Sequence, residues 1–281
     1  MMISSFMKPF IFDRYRNLFR MLYPVFKRHA FVIGTPFYVA NLLHEICTAV
    51  QHRLTYFRRG KVLPSRYGIG LSERCVEIPW FFSLLGKKAG LHLDAGSSLN
   101  FDALLKLDPL SRKNIIIANL NPEMNCYWQD GVSYIFWDLR KPLFADNIFD
   151  SISCISVLEH IGLDNSGWTH NKKDQEKNIH DYRKVIVELR RILKPGGSCY
   201  ITVPYGIHKQ YGWLQVYDKP MINDIIDTFK PRVSSTTYFQ YTKEGWMYSD
   251  ARTAKNSDYS SGYLPDCTVG ATSVACIRLI K

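Results

Sequence analysis

Residues that can bind a ligand or move a proton follow four separate apolar runs of the chain. The four groups are Asp94-Ala-Gly96-Ser97-Ser98, then Asn119, then Asp138-Leu139, then Ser156-Val-Leu-Glu159-His160. A glycine after the first run lets the backbone approach a ligand without a Cβ in the way, and a helix that follows it presents free N–H groups. The imidazole of His160 can take up a proton near neutral pH. Together these groups indicate a site for a nucleotide-like cofactor.

The apolar runs are spaced as the strands of one α/β sheet, in which ligands bind where the strands end. The clearest helix is the segment 182–193, whose apolar residues recur at helical spacing before a Pro-Gly-Gly stop. Strands that alternate with helices favour right-handed crossovers and parallel pairing. We predict a doubly wound, mostly parallel, seven-stranded Rossmann-like α/β sheet with an antiparallel C-terminal strand. The predicted strands are residues 91–93, 115–118, 132–137, 151–155, 198–203, 233–241 and 273–280, with a loop of roughly 30 residues before the last.

The order of these segments resembles the class I S-adenosylmethionine-dependent methyltransferases. The resemblance is carried by the turn at Gly96, the block 137–150, the tripeptide Leu158-Glu159-His160 and the turn and strand 194–204. Segments 74–80, 93–100 and 202–206 also resemble one largely uncharacterised microbial subgroup, methyltransferase type 11-like or DUF268-like, over about residues 70–281.

The resemblance implies S-adenosylmethionine as the cofactor. In this family an Asp after the third strand accepts a hydrogen bond from the adenine amino group, and Asp138 occupies that place here. The residues implied to bind the cofactor are Asp94, Gly96, Ser97, Ser98, Asn119, Asp138, Leu139, Ser156 and Glu159.

The sequence departs from the family at two of these positions. Ser98 stands where a second glycine usually lies, and Asn119 stands where an acidic residue usually holds the ribose hydroxyls. Asn121 and Glu123 lie just beyond it. An amide can hydrogen-bond a diol, but without the assistance of a charge.

The acceptor is predicted to be a small molecule or a glycan. An oxygen nucleophile would need a base, for which His160 and His208 are the candidates, together with Asp164; a carboxylate acceptor would need none. The alternative for His160 is that it only fixes the start of a helix. Side chains expected to wall the acceptor site are Tyr205, His208, Trp213, Trp246, Tyr248 and Tyr259.

Positive charge is concentrated in the first 60 residues. The chain has a formal net charge of +11, and these residues hold nine basic and two acidic side chains. Residues 10–23 also place apolar side chains at helical spacing among arginines. We predict a basic, aromatic, helical extension over residues 1–65 and a methyltransferase-like domain over 66–281. The extension either lies on an anionic membrane surface or packs on the main domain.

The seven cysteines are scattered without a Cys-x-x-Cys pair, which favours a reducing cytosol and argues against disulfides or a zinc site. The longest early apolar stretch, about 14 residues, is shorter than the roughly 20 that span a bilayer. We therefore expect a cytoplasmic protein, in one alternative peripheral to the inner face of the membrane, with no resident metal.

Two other functions compete with the enzyme. The second glycine and the acidic residue that usually holds the ribose are both missing. A protein with a methyltransferase fold that serves only as a scaffold or binding protein is therefore an alternative. Because the N-terminal extension is basic, an RNA methyltransferase is a further alternative. Nucleic acid is the less expected partner, because the sequence contains no RNA-binding module.

Overall fold

The structure is a computed structural model that describes residues 30–60, 62–123, 125–260 and 270–281. The strands of the described residues are β1 (Gly90–Ala95), β2 (Lys113–Asn119), β3 (Ser133–Phe136), β4 (Phe149–Ile155), β5 (Leu193–Pro204), β6 (Lys209–Gln210), β7 (Gln215–Val216), β8 (Val233–Thr242), β9 (Gly245–Ser249), β10 (Tyr259–Ser260), β11 (Gly270–Ala271) and β12 (Ser273–Ile280). The α-helices are α1 (Ala30–His52), α2 (Leu54–Arg59), α3 (Arg74–Leu84), α4 (Asp102–Leu105), α5 (Ser166–Thr169), α6 (Tyr182–Ile192), α7 (Lys219–Phe229) and α8 (Ala251–Ala254).

Within the described part of the chain, eight strands form one sheet in the order β3-β2-β1-β4-β5-β12-β8-β9. The first five in this order run parallel. Strand β12 lies between β5 and β8 and is antiparallel to both. The predicted fold class is confirmed: the sheet is mostly parallel, Rossmann-like and antiparallel at its C-terminal strand.

The eighth strand, β9, corrects the prediction of seven strands, because it lies inside the segment predicted to be an open loop. It forms an antiparallel hairpin with β8. Gly245 opens β9 with φ +90°, and a Cβ there would lie 2.3 Å from the carbonyl oxygen of Tyr67. The connecting residues Lys243-Glu244 lack the Asn-Gly or Asp-Gly signal typical of tight hairpins, which is why the sequence did not predict this strand.

Helices cover both faces of the sheet, as the alternation of strands and helices predicts. One core lies between the sheet and α1 to α4, and the other lies between the sheet and α6 and α7. The apolar stripe predicted for α6 is buried against the second core at Val185, Ile186 and Leu189. The strand ends are therefore left open at one edge of the sheet, where a ligand can bind.

Part of the predicted N-terminal extension belongs to the first core. Ile46, Ala49 and Phe57 are at most 4% exposed and pack in the same cluster as Trp80. The boundary after residue 65 stays a prediction. The helix predicted over residues 10–23 lies outside the described residues, and none of the described helices combines the length and apolar character needed to cross a bilayer.

Candidate functional site

A cavity of about 340 Å³ opens at the carboxyl ends of β1, β2, β3 and β4. This volume falls in the range of small-molecule sites. Its walls come from all four predicted strand ends and from the loop after β4. The lining residues are Arg74, Gly96, Asn119, Leu120, Asn121, Glu123, Trp137, Asp138, Leu139, Arg140, Ser156, Val157, His160, Ile161, Gly162, Asn165, Trp168 and Thr169.

The turn after β1 is shaped by Gly96. Its N–H donates to the carbonyl oxygen of Ala118 at 2.7 Å. Its φ is +109°, and a Cβ at this position would lie 2.1 Å from Cγ2 of Val157. Only glycine therefore fits the turn without displacing its neighbours.

Asp94 is fully buried and holds this turn from within. Its carboxylate accepts hydrogen bonds from the N–H of Leu99 at 2.8 Å and from the hydroxyl of Ser153 at 2.9 Å. Burial raises the pKa of Asp94 to about 6, against the opposing effect of these hydrogen bonds. The structure thus shows Asp94 bonded within the turn, and it does not line the cavity.

The two serines of the turn differ. Ser98 donates through Oγ to the carbonyl oxygen of Ile155 at 2.6 Å and so ties the turn to the end of β4. Ser97 has φ +65°, and its buried Oγ has no hydrogen-bond partner among the described residues. A buried hydroxyl without a partner is unusual in a folded protein.

A carboxylate is present at the end of β2, although Asn119 is not acidic. Asn119 donates through Nδ2 to Oε1 of Glu123 at 2.5 Å, and Asn100 donates to Oε2 of the same residue at 2.8 Å. Two amides, one at the end of β2 and one in the segment after β1, therefore fix the Glu123 carboxylate. Asn119 and Glu123 both line the cavity.

Asp138, after β3, belongs to an ion-pair network centred on Arg140. The guanidinium of Arg140 donates to both carboxylate oxygens of Asp138, at 2.9 to 3.2 Å, and also binds Glu176 and Asp181. Burial acts to raise the pKa of Asp138, but the hydrogen bonds from Arg140 outweigh it and lower the pKa. Asp138 and Leu139 line the cavity as predicted from the sequence, whereas the partner Arg140 was not predicted.

Ser156, after β4, is bonded to helix α3. Its Oγ donates to Oε1 of Glu77 at 2.8 Å, and Arg74 donates to the other oxygen of Glu77 at 2.9 Å. Glu159 is 3% exposed, and its Oε2 has no partner in the described part of the chain. Burial raises the pKa of Glu159 to about 8. Glu159 lies behind the lining residues rather than on the cavity surface.

The two candidate bases lie in different places. His160 lines the cavity, and its Nδ1 lies 2.9 Å from the carbonyl oxygen of Trp213. His208 lies beside the short β6–β7 ladder, with Nδ1 2.9 Å from the carbonyl oxygen of Val216, and it does not line the cavity.

The aromatic residues predicted to wall the acceptor site also lie in different places, some near His160 and others buried in the core. Trp213 and Tyr259 form a ring pair 6.0 Å apart, which continues to His160. Trp246 is buried and donates to the carbonyl oxygen of Leu71. Tyr205 is buried against Tyr238, and Tyr248 packs on Phe239. Trp168 lines the cavity but was not predicted, because its loop carries no periodic pattern.

Parts of this chain are similar in sequence to a known family and to a known protein. Residues 91–201 match the family model described as a methyltransferase domain. An uncharacterised protein of Methanocaldococcus jannaschii is 31% identical over 105 residues, which are 34% of this chain and 37% of that protein. The match thus spans little more than a third of that relative's length.

Solved structures with a similar fold include two methyltransferases. The 1,6-didemethyltoxoflavin-N1-methyltransferase of Burkholderia thailandensis is 13% identical, with a TM-score of 0.42, over 69% of this chain and 72% of that chain. The N-methyltransferase NodS of Bradyrhizobium japonicum is 13% identical, with a TM-score of 0.39, over 68% and 76%. By the family match, residues 91–201 have the sequence of a methyltransferase domain.

Proposed function

We propose that this protein transfers a methyl group from S-adenosylmethionine to a small-molecule or glycan acceptor. The observation that carries the proposal is the cavity at the ends of β1 to β4, whose lining residues, apart from Arg74, all lie in the segment that matches the methyltransferase domain. When bound, S-adenosylmethionine supplies a methyl group activated by a sulfonium. The protein's own contribution is chiefly to align the acceptor with that group and to exclude water.

The cavity residues suit a nucleoside with a charged amino-acid tail. Leu139 and Ile161 provide apolar surface, and Asp138 provides a carboxylate for an amino group. Ser156 lies at the carboxyl end of β4 and the N–H groups near Gly96 lie at the carboxyl end of β1, whereas Asp138 follows β3. Asp94 and Glu159 support this site from behind the cavity surface, through the turn and the loop to which they belong.

We assign the ribose hydroxyls to Glu123, acting with Asn119. The carboxylate is four residues later than the acidic residue of the family pattern, yet the two amide hydrogen bonds fix it at the same strand end. A fixed carboxylate accepts two hydrogen bonds from a diol more strongly than an amide does.

Of the two candidate bases, we favour His160 over His208. His160 borders the cavity, whereas His208 does not. Both imidazoles use Nδ1 toward a backbone carbonyl, and neither Nε2 has a partner among the described residues, so only position separates the two.

The proposal is tested by calorimetric titration with S-adenosylhomocysteine. We expect binding to the full chain, its loss in Gly96→Arg and Asp138→Ala, and unchanged binding in Asp130→Ala, which changes an exposed Asp away from the cavity. No binding at millimolar ligand would overturn the proposal and favour a scaffold with a methyltransferase fold. Retained binding in both cavity variants would show that the pocket lies elsewhere.

We also propose that the protein works in the cytoplasm and that residues 1–60 contact anionic lipid. The support is the nine basic side chains in this segment. Sedimentation with vesicles containing phosphatidylserine, compared with neutral vesicles, tests the contact. Equal sedimentation with both would contradict it, and salt-sensitive RNA binding by the same segment would favour the RNA alternative instead.

A further inference from the structure

One wall of the cavity offers hydrogen-bond acceptors and carries no ionised side chain. It consists of Asn121 and the loop after β4, and its members on the cavity surface are Asn121, His160, Ile161, Gly162, Asn165, Trp168 and Thr169. Asp164 belongs to the same loop, but it accepts from the N–H and hydroxyl of Ser166 and does not line the cavity. The wall therefore suits an uncharged ligand, since a charged group there would lose its hydration without a partner.

The two amides of this wall have a fixed orientation. Asn121 Nδ2 donates to the carbonyl oxygen of Trp168 at 3.2 Å. Asn165 Nδ2 donates to the carbonyl oxygens of His160 at 3.0 Å and Leu163 at 3.1 Å. Because a carbonyl can only accept, the NH₂ group of each amide is identified by its partner. Each Oδ1 then remains as an acceptor without a donor in the described part of the chain.

His160 adds a third acceptor. The carbonyl oxygen of Trp213 can only accept, so Nδ1 of His160 carries the proton and Nε2 keeps a lone pair. Among the described residues Nε2 has no partner. Burial lowers the pKa of His160 to about 4, so the ring is uncharged at neutral pH.

Flat aromatic surface accompanies these acceptors. The His160 ring stacks on Trp213 with centroids 5.4 Å apart and meets Trp168 edge-on at 5.0 Å. Trp168 is 51% exposed and lines the cavity, so an indole face is available to a ligand. Large exposed aromatic surface at a cavity is typical of a binding site.

We propose that Asn121, His160, Asn165 and Trp168 form the acceptor subsite and that it takes a neutral sugar ring. The ring's C–H face lies on Trp168 while its hydroxyls donate to the two amide oxygens and to Nε2 of His160. This inference rests on the proposed function and narrows its acceptor to an uncharged cyclic polyol, which excludes amines and carboxylates.

In O-methylation of such an acceptor, each bond, the hydroxyl proton and the positive charge can be accounted for. As the acceptor oxygen forms its bond to the methyl carbon, the carbon–sulfur bond breaks and its electron pair stays on sulfur. The hydroxyl proton passes to Nε2 of His160, so the positive charge of the sulfonium ends on the imidazolium.

The test measures binding of methyl glycosides to the full chain saturated with S-adenosylhomocysteine, and ligand-detected NMR is the readout. The probes are the methyl pyranosides of glucose, galactose, rhamnose and N-acetylglucosamine, with cyclohexylamine as a cationic ring. We expect millimolar binding of at least one glycoside and none of the amine. Trp168→Ala should weaken glycoside binding about five-fold or more and leave S-adenosylhomocysteine affinity within about two-fold. The matched control is Trp128→Ala, which removes an indole 66% exposed and outside the cavity, and should change neither.

The outcomes separate the inference from the proposed function. If S-adenosylhomocysteine binds but no glycoside binds at 50 mM (about the limit for a useful subsite), the inference is wrong and the proposed function stands. Preference for cyclohexylamine also overturns it. If Trp168→Ala weakens S-adenosylhomocysteine more than the glycoside, the wall serves the cofactor's nucleoside and the inference fails. Absence of S-adenosylhomocysteine binding overturns the proposed function itself.

Discussion

Replacing Gly96 by alanine tests the central turn of the site. The new Cβ would lie 2.1 Å from Cγ2 and 3.1 Å from Cγ1 of Val157. Holding a non-glycine residue at φ +109° costs on the order of 1–3 kcal/mol. Overpacking against Val157 costs roughly another 1–3 kcal/mol. We therefore expect Gly96→Ala to lower the free energy of unfolding by about 2–6 kcal/mol.

The two contributions are separated by a double-mutant cycle with Val157→Ala. This second change removes both Cγ atoms and alone costs about 1–2 kcal/mol through lost burial. In the double variant both Cγ contacts are removed, so most of the steric part of the Gly96→Ala cost disappears, while the backbone part and a 3.2 Å contact with Cβ of Val157 remain. The expected coupling in urea denaturation is about 1 kcal/mol or more in favour of the double variant. S-adenosylhomocysteine affinity, measured by calorimetry, should recover in the same direction.

Additive effects within about 0.5 kcal/mol would refute this reasoning, because Val157 would then not be the obstacle. A Gly96→Ala variant as stable as the parent would also refute it, since the turn would then tolerate a side chain. A suitable control is Gly131→Ala, at a glycine that also has positive φ but has no atom within 4 Å of its Cβ position. It should show the backbone cost alone.

Two further predictions concern carboxylates of the site. Burial raises the pKa of Glu159 from 4.5 to about 8, so between these pH values the carboxyl ionises in the unfolded chain but not in the folded one, and the parent loses stability. Glu159→Gln should therefore stabilise the protein increasingly over this range, and the gain at pH 9, measured by denaturant unfolding, should approach about 5 kcal/mol. An equal gain at pH 5 and pH 9 would contradict this. Glu123→Gln should weaken S-adenosylhomocysteine by roughly ten-fold through loss of a charge-assisted hydrogen bond. Asn119→Asp should also weaken S-adenosylhomocysteine binding, because the new carboxylate would lie against that of Glu123, even though this change restores the family's acidic residue. Tighter binding by Asn119→Asp would instead assign the ribose to position 119.

Much of the sheet could be predicted because each buried strand is a short apolar run that ends in a turn. Strand β12 was predicted at its observed bounds, and β1 to β4 were found within two residues of the predicted ranges. Strand β5 begins five residues earlier than predicted and includes the Pro-Gly-Gly segment expected to be a turn. Strand β9 was not predicted, since Gly245-Trp-Met-Tyr-Ser249 is defined by pairing with β8 and not by a pattern of its own.

Residues of the site could be predicted where they are adjacent to a strand end. Asp138 and Gly96 are of this kind, because the strand that precedes each of them fixes its position. The partner of Ser156 is Glu77, which is 79 positions away in the chain, and no local pattern reports such a contact. Trp168 likewise reaches the cavity only through the fold of its loop, which Asn121 contacts from the end of β2.

The position of β12 has a consequence for how the chain reaches its folded state. This strand pairs along its length with both β5 and β8, so two long backbone edges stay open until residues 273–280 insert between them. Exposed edges of this kind recruit strands from other molecules. A chain truncated before residue 273 should therefore aggregate rather than form a smaller soluble domain. We expect the refolding yield to fall as the protein concentration rises, because pairing between open edges of different molecules competes with the insertion of β12.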